Sequence, residues 1–104
     1  MNYYRLLNSS LDPHRMISMS GVPRDLQQCL RTCIERISSA ESIMELCHAH
    51  GRALGLSTGL GVAEAITGAQ FNALGVAFER AFEDRLVSLK EQLPPVINSN
   101  QLDS

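Results

Sequence analysis

The chain has 104 residues, a formal net charge of −2 and a charged fraction of only 19%, and eight of its nine basic residues are arginine. A chain of this length forms one domain with one core and buries roughly two-thirds of its unfolded surface, which leaves little room for an elaborate catalytic cleft. The lack of a basic stripe argues against direct nucleic-acid binding, and three scattered cysteines do not make a disulfide framework.

Residues 1 to about 20 have no sustained hydrophobic period and read as a flexible arm. Tyr3 and Tyr4 are its candidate anchors on a partner or a second subunit. The start "MNYYRLLNSSLDPHRMISMSG" has no continuous apolar run of the secretory type, so the expected compartment is the cytoplasm, with reduced thiols. A first helix is predicted after Ser20 or Gly21, with Pro23 in its first turn and Asp25 complementing the helix dipole. Its apolar stripe is Leu26, Leu30, Cys33, Ile34 and Ile37.

Ser38 and Glu41 form a capping-box pattern, and Ile43, Leu46, Cys47, His50 and Leu54 carry a second stripe. This segment either continues the first helix past a kink or restarts it. Gly55 is the expected C-cap, and residues 55–67 are open between loop and helix. Thr67 and Gln70 form a further capping box. After it, Phe71, Leu74, Phe78, Phe82, Leu86, Leu89 and Leu93 recur at helical spacing until Pro94-Pro95. Such a helix runs about 40 Å, long for one small core, so it is expected to seek a partner. The tail from residue 94 reads as flexible. No strand pattern occurs. The predicted class is all-α, a small bundle of three to four helices with a long C-terminal helix, dimeric through that helix.

Six of the seven glycines lie between residues 51 and 78. Gly55, Gly59 and Gly61 reproduce the glycine spacing of short-chain dehydrogenases. The physics of that motif needs a preceding buried strand, and "LCHAHGRA" is not one; nor does a Tyr-x-x-x-Lys follow. Scattered polar residues from Ser57 to Asn72 break any apolar run long enough for a membrane span. A helix-turn-helix over residues 62–82 would begin its recognition helix with "GAQFNALGV", apolar where base contacts need polar groups. Close packing remains: Gly61, Gly68 and Gly75 recur every seven residues beside Ala65, Ala69 and Ala73, and without Cβ atoms two backbones approach closely. Gly75 is the strongest candidate for such a contact.

Cys29, Cys33, Cys47, His48 and His50 contain zinc-ligand types, but the Cys-x-x-x-Cys spacing belongs to no strong zinc motif. All three cysteines are read as buried small hydrophobes and His50 as a core or boundary residue. Nucleophilic catalysis would need an orienting third group, and none is indicated. No catalytic, cofactor or metal site is expected.

In length, helical order, long terminal helix and charge-poor character, the chain resembles the QslA-type quorum-sensing anti-activators of pseudomonads. The resemblance implies a dimeric, non-enzymatic protein that binds a LuxR-type transcription factor at its ligand-binding domain and keeps it from dimerising or occupying a promoter. A dimeric chaperone or adaptor for a cargo protein is the second expectation, and a small DNA-binding regulator the third. The residues expected at a protein interface are Phe71, Leu74, Gly75, Phe78, Phe82, Leu86, Leu89, Tyr3 and Tyr4.

Overall fold

A computed structural model describes residues 12–93, which fold as four helices with no strand among them. Helix α1 spans Pro13–Met19, α2 Arg24–Ser38, α3 Ile43–Val62 and α4 Gly68–Glu91. Tyr3, Tyr4 and the segment from Pro94 lie outside the described residues.

The expected arm gives way to helix α1 from residue 13 onward. Asp12 caps it by accepting the His14 N–H at 3.3 Å, and Pro13, whose missing N–H costs nothing there, takes the first turn. The helix is anchored by Ile17, which is fully buried. One buried residue in a seven-residue helix gives no period to read, which is why the sequence reads as an arm here. The chain turns at Gly21 with φ +81°, a left-handed backbone that glycine adopts without a Cβ clash. Pro23 then serves as the N-cap of α2 with no side-chain bond, in place of the expected Ser20 or Gly21.

Helix α2 buries Leu30, Ile34 and Ile37, with Leu26 and Cys33 packed beside them, as its stripe predicts. It ends at Ser38, and α3 restarts one turn later than the Ser38–Glu41 pattern suggests. Ser42 is the cap, taking the Glu45 N–H at 3.1 Å, while the Glu45 carboxylate takes the Glu41 N–H at 2.9 Å. The intervening turn is tied to α4 by Arg85, whose Nε donates to the buried Ala40 carbonyl at 2.7 Å.

Gly55 does not end α3. The helix passes through Gly51, Gly55, Gly59 and Gly61 and stops at Val62. Its C-terminus is a Schellman turn, in which Ala65 N–H reaches the Leu60 carbonyl at 2.9 Å and Glu64 N–H the Gly61 carbonyl at 3.1 Å. Glu64 holds the left-handed position with φ +59°. The buried face is also narrower than the predicted stripe: Leu46, Ala53 and Ser57 are buried, whereas Ile43, Cys47 and Leu54 are exposed.

Helix α4 begins with the predicted capping box, Gln70 N–H to Thr67 Oγ1 at 3.1 Å and Thr67 N–H to Gln70 Oε1 at 2.9 Å. Its 24 residues reach about 36 Å. It contacts all three other helices, and α2 also contacts α1 and α3. The core therefore gathers along α4, where Leu74, Ala77, Phe78, Ala81 and Leu89 meet Ile17, Leu30, Ile34, Ile37, Leu46 and Ala53. No helix of the described residues is long and apolar enough to cross a membrane.

Candidate protein-binding surface

The residues expected at an interface divide by burial. Leu74, Phe78 and Leu89 are buried in the chain's own core and so are not open to a partner; Phe82 and Leu86 are half-buried against it. The long helix finds most of its cover within the chain because α1, α2 and α3 all pack on it, and the sequence does not reveal α1. Phe71 and Gly75 remain at the surface.

Phe71 joins two depressions. One, of about 340 Å³, is formed by the end of α3 and the α3–α4 turn, with Thr58, Gly61, Val62 and Ile66 around the ring. The other, of about 650 Å³, lies along the first half of α4, with Met16, Gly75 and Val76 at its apolar end and Glu79, Arg80 and Glu83 at its charged end. Val62 is 81% exposed, Val76 58% and Phe71 38%. The result is an open, mostly apolar band that crosses from α3 to α4.

Two glycines shape this band in different ways. A Cβ built on Gly61 would stand 3.5 Å from the Phe71 ring, in ordinary van der Waals contact, so the ring lies beside α3 there with room for a methyl group. A Cβ built on Gly75 meets nothing within 4 Å. Gly75 leaves open space at the groove and is not pressed against any other part of the chain. The expected seven-residue glycine face is broken, because Gly61 ends one helix while Gly68 and Gly75 belong to the next. Gly68 likewise faces nothing within 4 Å.

At the groove's charged end Arg80 Nε donates to Asp84 Oδ2 at 3.3 Å, while His50 Nε2, 3.4 Å from Glu79 Oε2, is buried and makes no hydrogen bond among the described residues. The His50 ring also tilts onto Phe82 at 4.5 Å between centroids, which makes it the boundary residue expected. The sequence missed Met16, Val62 and Val76. A signal was present in the two valines, which are apolar positions on helices that belong to neither predicted stripe.

The cysteines are more open than expected. Cys29 and Cys47 are exposed and only Cys33 is partly buried. Cys29 precedes Leu30, and a step of one residue turns it away from the core that Leu30 enters. Among the described residues, no three His, Cys, Asp or Glu side chains come together as a metal-ligand group.

Comparison of the chain with known protein families, with curated proteins and with solved structures finds no match.

Proposed function

We propose that the chain is a non-enzymatic regulatory protein of the cytoplasm that binds another protein through the Val62–Phe71–Val76 band. The partner class drawn from the resemblance is a LuxR-type transcription factor, held through its ligand-binding domain so that it cannot occupy its promoter. The observation that carries the reading is an exposed apolar band beside an unfilled notch at Gly75. Fully burying an aliphatic or aromatic side chain is worth roughly 1.5–3 kcal/mol. Covering Val62, Phe71 and Val76 together, with a partner side chain seated over Gly75, supplies a hydrophobic centre for an interface. Glu79, Arg80 and Glu83 then lie at its rim, where charges affect association rate and partner choice more than affinity.

The outer face of α4 supports self-association as part of the same reading, and because it shares Val76, Arg80 and Glu83 with the band, a second copy and the partner compete for it. Val76, Arg80, Glu83 and Val87 fall on one helical stripe, and Val87 is 57% exposed. An antiparallel second copy, with its two-fold axis near Ala81 and Phe82, sets Val76 opposite Val87 and Arg80 opposite Glu83. A stripe that is complementary to itself is what an isologous dimer requires.

The test is promoter occupancy by a purified LuxR-type activator, followed by mobility shift as the chain is added. The expected result is release of DNA at stoichiometric chain, with only weak dependence on salt because the contact is apolar. A chain that itself shifts DNA, with steep loss on adding salt, would point instead to direct phosphate contact.

A further inference from the structure

A second groove, of about 500 Å³, lies between α2 and α3, away from the band described above. Cys29 and Cys33 both line it, together with Arg36 of α2 and Arg52 of α3. The thiols are one helical turn apart, and residues so spaced carry Cβ atoms about 5–6 Å from each other on one face. That separation lets both sulfurs turn toward a common point without unwinding the helix. A direct disulfide would need Cβ atoms about 3.5–4.5 Å apart, which an intact turn does not offer.

We propose that Cys29 and Cys33 form a two-coordinate site for a soft monovalent cation, Cu(I), in the groove between α2 and α3. Thiolate is the ligand type that selects Cu(I). Zinc asks for four ligands in a structural site, or three and a water in a catalytic one, and the described residues bring no such third group to the pair. Binding converts two thiols and one Cu(I) into a bis-thiolate complex and releases two protons, with no change of oxidation state. The complex carries one net negative charge. Arg36 and Arg52 stand in the same walls to balance it, with Asp25 the one acidic residue lining the groove.

Burial pushes the Cys33 thiol up from its ordinary range and the neighbouring Cys29 pushes it further, while Arg36 pulls it down.

The experiment is anaerobic titration with Cu(I) against bicinchoninate, in a Cys47→Ser background so that only the pair is counted. The Cys47→Ser chain should withdraw one Cu(I) from the chelator. Adding Cys29→Ser or Cys33→Ser should cost more than the roughly 10–100-fold that loss of an outer-shell partner costs a metal site. Either variant holding copper as tightly as the Cys47→Ser chain overturns the proposal. Native mass spectrometry of the unmutated chain is the second readout and does not depend on how the variants fold. A species with one added copper and, at the same charge state, one proton fewer is expected, because the monovalent ion takes the place of one proton. Its absence after Cu(I) loading would also overturn the site.

Discussion

Glu64 is the residue at which local backbone and side chain disagree most plainly. It occupies the left-handed position of the α3 Schellman turn, φ +59°, where glycine is the usual occupant. A side chain in that conformation costs about 1–2 kcal/mol, part of which glycine gives back in unfolded-chain entropy. Glu64→Gly is therefore expected to stabilise the chain by about 1 kcal/mol, seen as a rise of about 4–8 °C in Tm for a domain of this size. Unchanged or lowered Tm would mean that Glu64 makes a compensating interaction. Gly75 gives the opposite lesson. In the middle of α4 it costs about 1 kcal/mol relative to alanine, and an added Cβ has open space. Gly75→Ala should raise Tm by a similar amount. Its glycine spacing was legible in the sequence, but what faces it was not: periodicity reports a face, and only tertiary packing says whether that face is covered.

At the scale of elements, the parts best read from sequence were those whose signals are local. The Thr67–Gln70 box and the Leu26–Ile37 stripe both appear as predicted, because caps and 3.6-residue periods arise within one helix. Helix α1 was not legible, since its only fully buried side chain is Ile17 and its place is set by contact with α2 and α4. The end of α3 was misread for a related reason: tertiary cover for Ala53 and Ser57 carries the helix past glycines that propensity alone would treat as stops. Arg85 is the side chain that links two of these elements across 45 residues. Arg85→Met leaves the buried Ala40 carbonyl without that donor and should cost about 1–3 kcal/mol in urea unfolding. No loss in the urea midpoint would show that water replaces the guanidinium there. For α4, the charge pattern of its outer stripe is tested by exchange. Arg80→Glu alone should shift sedimentation velocity toward monomer, and Arg80→Glu with Glu83→Arg should restore the dimer. Equal weakening by the single and the double variant would discard the antiparallel arrangement.

Across the whole molecule, a buried core and an exposed apolar band coexist in a chain of 104 residues. The predicted all-α class was legible because every periodic segment follows the helical repeat. The proposed binding surface is legible only in part. Phe71 and Gly75 were found through their stripe and their spacing. Val62 and Met16 come to the same region only when α3 and α1 are packed on α4, which no single-helix pattern encodes. The same packing removed Leu74, Phe78 and Leu89 from the expected interface by covering them.

The claim that the Phe71–Gly75 region binds a protein is tested most directly by one affinity comparison. The unmutated chain and Gly75→Leu are titrated calorimetrically with the ligand-binding domain of a LuxR-type activator, each first checked for equal helix content by circular dichroism. A Cβ at position 75 meets nothing within 4 Å and the groove beyond it is open, so the fold is expected to persist in Gly75→Leu while the notch open to a partner side chain is filled. The expected result is a loss of binding of at least tenfold, about 1.4 kcal/mol. Equal affinity for the two chains, or no binding by the unmutated one, would contradict the account.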